Sequence, residues 1–236
     1  MSTLLTPLIP ISVASIYNNA ALPTRMAKCT PDTATAIQGV VDDLHGLSHD
    51  LRLSDLFRSY DMQRSANLDY VEGRKKAYSP PPGGSMHEAG RAMDIDLSSM
   101  GIPLGQFWET AKAHGFFPII DQPIAGRSES WHFDCRGSHG LVFDYVQQGK
   151  AGASIAPYKQ MAHSAILAIG VRVDEVPDQD IAWLQSALIR LGFDPGRIDG
   201  VMGDRTLAAL RSAGASADDP KGSLTAMLKA KFPQEF

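Results

Sequence analysis

Apolar and polar positions along the chain mark out short alternating elements, followed by a run of helices. Over 30–45, Ile37, Val40, Val41 and Leu44 share one helical face. Thr30, Pro31 and Asp32 supply its N-cap, a proline suited to the first turn and a charge that complements the dipole. Over 51–57, Leu51, Leu53 and Phe57 fall at odd positions, which predicts a half-buried strand. Short strands are predicted over 92–97 and 129–134, and a helix over 104–114 that Gly115 closes. The proline run over 79–84 fits neither a helix nor a central strand and is read as a loop. Short strands interleaved with helices place this half of the chain in the α+β class.

The pattern changes after Tyr145. Residues 147–157 are small and polar, as in a connector, and a further helix is predicted over 161–169. Ile181, Leu184, Leu188 and Leu191 then lie on one helical face, which Gly192 ends. A second helix starts near Asp204 with Leu207 and Leu210 inward, and a third near Ser223 with Leu224, Met227 and Leu228 buried. The organisation expected is a main domain over 1–150, a linker with a connecting helix over 151–177, and a three-helix domain over 178–236. No internal repeat is visible.

Composition narrows the classes without naming a chemistry. With 236 residues, 44% hydrophobic and 20% charged, the chain can bury a core without disulfides, and a mainly disordered chain is excluded. The net charge of -4 argues against nucleic-acid binding through bulk charge. Cys29 and Cys135 are read as two buried thiols rather than a bridge. No Lys or Arg precedes Arg25, and Pro7, Pro10, Asn18 and Asn19 interrupt the apolar start, so neither a secretory signal nor a membrane span is expected.

Candidate chemistry gathers around two short motifs. His87 and Asp94, with Gly90 and Ala92 between them, are followed by Glu129 and His132. Two imidazoles and one carboxylate form a nitrogen and oxygen set that suits zinc with a fourth position left open for water. Glu129, three residues before His132, can face that water and take its proton. His45, His49, His114, His139 and His163 lack such company and are read as surface or structural histidines.

Together Ser85, His87, Gly90, Ala92, Asp94, Glu129, Trp131 and His132 resemble the LAS group of zinc peptidases, the M15 family. That family holds VanY-type D-alanyl-D-alanine carboxypeptidases, VanX-type dipeptidases and L-alanyl-D-glutamate endopeptidases of phage lysins. The resemblance implies a small antiparallel sheet with flanking helices around one zinc ion per chain. His87, Asp94 and His132 are its ligands, and Glu129 is the general base and then acid. It also implies an oxyanion-stabilising arginine, for which Arg58, followed by Gln63, is the candidate; Arg64 is read as a solvated charge. Ser85 and Gln63 are expected to position substrate or support the site, and Trp131 to hold His132 by packing. Asp96 and Asp134 are expected to orient His or Arg side chains.

A second resemblance lies in Trp183, Leu184, Leu188, Leu191, Gly192, Phe193, Asp199, Gly200, Gly203 and Thr206, which are similar to the three-helix peptidoglycan-binding domain of wall hydrolases. After Leu210 the usual Phe-Gln is replaced by Arg211, Ser212, Ala213 and Gly214. The two resemblances together imply hydrolysis of peptidoglycan stem peptides, first as a D-Ala-D-Ala carboxypeptidase. The alternative is an endopeptidase acting as an endolysin or wall-degrading effector. Action in the cell envelope is then expected, with export by a holin, a secretion system or an unseen signal. Peptidoglycan is the expected partner, with no nucleic acid and no membrane span.

Overall fold

The computed structural model describes residues 5–14 and 20–236. The chain divides into two compact units. One comprises Leu8–Pro81 and Met86–Gly137; the other comprises Ser138–Phe236 with Pro82–Ser85 and the start of the chain to Pro7. The expected boundary at 150 thus falls inside the second unit. Asn18, Asn19 and the first four residues of the N-terminal stretch lie outside the described residues.

The first unit is α+β. β1 (Ile9–Pro10) pairs antiparallel with β2 (Lys28–Cys29), and α1 (Pro31–Gly46) follows. β3 (Leu53–Asp55), α2 (Tyr60–Val71), β4 (Ala92–Ile95), α3 (Leu97–Met100), α4 (Leu104–Ala113), β5 (Phe116–Pro118) and β6 (His132–Cys135) complete it. The sheet runs β3-β4-β6-β5, antiparallel throughout. Period-2 alternation sends Met93, Ile95, Phe133 and Cys135 into a core with Ile37, Val40 and Leu44 of α1 and Phe107 and Ala111 of α4. Phe107 meets Phe133 edge to face, centroids 4.9 Å apart. Thr30 does cap α1 by position, but its hydroxyl bonds the Asp32 and Thr33 side chains rather than a helix N–H. Asp32 in turn receives Arg91 at 2.6 Å, so it serves an ion pair as well as the dipole. Both cysteines are buried and free, and burial first, then Cys135 and Asp32, push the Cys29 thiol up to about 12.

The second unit is helical among its described residues: α5 (Gly140–Gln147), α6 (Pro157–Ala168), α7 (Gln179–Leu191), α8 (Asp204–Ala213) and α9 (Pro220–Lys231). Asp178 caps α7 by accepting from the N–H groups of Asp180 and Ile181, and Gly192, at φ 103°, ends it. Ala182 to Arg190 are all buried, so α7 is the central helix of this unit rather than an amphipathic one. α6, expected as a connector, is buried along most of its length and joins the rest through Gln160, which accepts from Ile198 N at 2.8 Å. The helices after 178 therefore share one unit with α5 and α6. One expectation fails inside it: α8 buries Thr206 and Ala209, while Leu207 is exposed and Leu210 half-buried. Leu224 and Leu228 are buried on α9 as the pattern predicts, with Met227 half-buried.

Candidate metal centre

Strand register assembles the centre. Asp94 on β4 lies directly opposite His132 on β6, and Asp55 on β3 opposite Asp94. Such pairs have Cβ atoms about 5 Å apart. His132 and Asp134 share a face because they are two residues apart on one strand. His87 comes from a single 3-10 turn, Met86–Ala89, just before β4. Gly90 makes the turn into the strand at φ 63°, where a Cβ would come within 2.8 Å of Leu8 and 3.0 Å of the Cys29 backbone. The gap between His87 and Asp94 thus depends on a residue without a side chain.

The ligand atoms of His87, Asp94 and His132 lie within 4.8 Å of one another, and all three residues are buried. His87 Nδ1 is 2.7 Å from the Leu56 carbonyl oxygen, which can only accept. The Nδ1–H therefore donates, and Nε2 carries its lone pair towards Asp94 Oδ1 at 3.2 Å. His132 places Nε2 3.0 Å from Asp134 Oδ1 and Nδ1 2.9 Å from the same Asp94 oxygen, so each ring nitrogen faces a carboxylate. Two imidazole nitrogens and a carboxylate oxygen converge, and such a set calls for a cation. The donors, their outer hydrogen bonds and their burial fit a zinc-type site. A proton meets part of the same demand. His132 is pushed up to about 10, burial opposing the charge and Asp134 and Asp94 outweighing it. Asp94 is held well below the usual carboxylate range, burial again opposing and the His87 and His132 rings outweighing it.

Arg58 closes the other side of Asp94. Its guanidinium donates to Asp55 Oδ2 at 2.5 Å, Gln63 Oε1 at 3.2 Å and Asp94 Oδ2 at 3.2 Å. Burial works against this charge, but Asp55 and Asp94 outweigh it and the pKa rises. Gln63, the buried residue of α2, also donates to Ser79 Oγ and the Pro80 carbonyl, which ties the proline loop to the arginine. Arg64 on the same helix is exposed.

Glu129 sits in the left-handed region at φ 67°, uncommon for a residue with a side chain. Burial raises its pKa first, with Asp94 adding to the rise and His132, Lys75 and Arg58 opposing it. Trp131 is half-buried and packs on the core beside His132. Ser85 is buried, in a segment that belongs to the second unit. Asp134 orients His132, but Asp96 orients no His or Arg: it caps α3 by accepting from Ser98 N. Three partners escaped sequence reading. Asp55 stands three residues before Arg58 but at the end of a strand, where that spacing carries no signal. The Leu56 carbonyl has no side-chain signature. Lys75 comes from a loop without periodicity.

Residues 177–213 match the family model of the peptidoglycan binding domain. No curated protein matches the chain. Among solved structures, the LdcB LD-carboxypeptidase is similar at a TM-score of 0.43 and 19% identity, covering 54% of this chain and 66% of its own. The L,D-carboxypeptidase DacB from Streptococcus pneumonia is similar at a TM-score of 0.35 and 18% identity, covering 55% of this chain and 84% of its own. Among the described residues no helix is long and apolar enough to cross a membrane.

Proposed function

We propose that this chain is a zinc peptidase that hydrolyses peptidoglycan stem peptides. The observation that carries the reading is the convergence of His87 Nε2 and His132 Nδ1 on Asp94, with the outer ring nitrogens facing the Leu56 carbonyl and Asp134. His87 Nε2, Asp94 and His132 Nδ1 would hold the metal. Zinc in such a set supplies Lewis acidity that polarises a peptide carbonyl and acidifies water.

The chain's own residues account for the rest. Glu129 receives the proton of the attacking water and returns it to the leaving amine; its raised pKa suits a group that must do both near neutrality. Arg58 presents a fixed cation to the negative charge that develops on the carbonyl oxygen, and such preorganised charge is worth several kcal/mol of barrier. Gln63 and Asp55 hold the guanidinium in place. Trp131, packed on the core beside His132, acts as a support for that ligand.

The family match over 177–213 supports peptidoglycan as the partner and the cell envelope as the place of action. The leading reaction is removal of a terminal D-Ala, and the same wall-binding match favours an endopeptidase as the second reading. Mass spectrometry of muropeptides after digestion separates them. Loss of one terminal D-Ala is expected, whereas release of a longer peptide would establish the endopeptidase, and unchanged muropeptides would refute both.

A further inference from the structure

Glu129 lies near the end of the segment that joins β5 to β6, where residues 121–128 are all exposed. Its own carboxylate does not fix its place. Among the described residues that carboxylate takes a single side-chain hydrogen bond, a long one from Ser128 Oγ at 3.5 Å. The backbone therefore has to set the position. At φ 67° Glu129 is left-handed, a conformation that a residue with a Cβ keeps only where its surroundings impose it. On the C-terminal side the sheet imposes it. His132 N donates to the Glu129 carbonyl at 3.1 Å, and Ile95 N on β4 donates to the Trp131 carbonyl at 3.0 Å.

On the N-terminal side the anchor is Ser130, which is buried at the foot of the exposed segment. Its hydroxyl donates to the Ala125 carbonyl at 2.8 Å, which closes the loop 125–130 with Glu129 inside it. Its N–H donates to the Arg127 carbonyl at 3.2 Å, and Arg127 N to the Ile124 carbonyl at 3.0 Å. The ion pair of Arg127 with Asp121 joins two exposed groups and contributes little. Without the Ser130 hydroxyl, main-chain bonds alone oppose relaxation of Glu129 to negative φ, which would turn its carboxylate in a new direction. Resting on the peptidase reading above, we propose that Ser130 is a positioning residue for the base. Its hydroxyl fixes the 125–130 loop and through it holds Glu129 left-handed, the conformation from which it serves the centre.

Crystal structures and steady-state kinetics of the zinc-loaded full chain and of its Ser130→Ala variant test this. The variant should show Glu129 at negative φ and bind zinc as before. On soluble muropeptides, kcat counted per bound zinc should fall at least about tenfold, with KM within about twofold of the unmutated chain. Ser130→Cys is close in size but a weaker donor, so it should fold even where the Ala variant does not, with an intermediate kcat. Positive φ at 129 in the Ala variant, negative φ in the unmutated chain, loss of zinc from the Ala variant, or an unchanged kcat in either variant would overturn the role. If the unmutated chain turns nothing over, the peptidase reading fails, and the comparison of φ alone decides whether Ser130 holds the loop.

Discussion

Asp94 ties the candidate centre together: Oδ1 meets both imidazoles while Oδ2 takes the Arg58 guanidinium. Removing a ligand and removing the base should therefore have different signatures. His132→Ala should lose both zinc and hydrolysis. Glu129→Ala should keep zinc, as measured by metal analysis, and lower kcat by at least about 100-fold. Full activity in the Glu129 variant would assign the base elsewhere. At this scale the sequence was informative because each ligand is a rare residue type at a fixed offset from small neighbours. Gly90 shows why the offset matters, since any side chain there would strike Leu8 and Cys29. What could not be read was backbone chemistry: the Leu56 carbonyl fixes the His87 tautomer without any side chain to announce it. Nor could Asp96 be told from Asp134, because one lies just past the end of its strand and the other within it, facing His132.

Elements distant in sequence are held by buried polar contacts, and these set the stability expectations. Arg190 on α7 donates to Glu235 Oε2 at 2.5 Å and Ser138 Oγ at 2.7 Å, with Arg190 and Glu235 both buried. Glu235→Ala removes the carboxylate from that buried guanidinium and should cost about 3–5 kcal/mol in denaturant unfolding. A change below about 1 kcal/mol would show that the pair contributes little. His163 on α6 makes a prediction about pH. Among the described residues neither ring nitrogen has a hydrogen-bond partner, and burial lowers its pKa to about 4, with Lys159 adding to the fall and Glu175 opposing it. Above about 6.5 the ring is neutral in both states. Below that the unfolded chain binds a proton that the folded chain does not, so stability falls as pH drops from about 6.5 to about 4, by up to about 3 kcal/mol. His163→Leu should flatten that slope in unfolding curves taken across the window; an unchanged slope would place its origin in another group. Element existence was legible where apolar spacing was strong, as in α1, α4 and α7. It was not legible for α2, whose one buried residue is polar Gln63, nor for the inward face of α8, where Thr206 and Ala209 go in while Leu207 stays out.

For the molecule as a whole, the composition excludes more than it assigns. A net charge of -4 offers no bulk attraction to an anionic wall, which leaves the segment matching the peptidoglycan binding domain as the targeting device in this account. Sequence separated an α+β half from a helical half, but not where one stops. α6 meets α7 through long-range contacts such as Ser164 Oγ to Ser186 Oγ at 2.6 Å, and no local pattern records those. The central claim is that a metal-dependent peptidase centre, with Glu129 as its base, cuts the stem peptide. It is tested most directly by the release of new amino groups from purified sacculi by the zinc-loaded chain. The account predicts release that stops on chelation, returns with zinc and is absent from Glu129→Ala. No release from the loaded chain, or undiminished release after chelation, would contradict it.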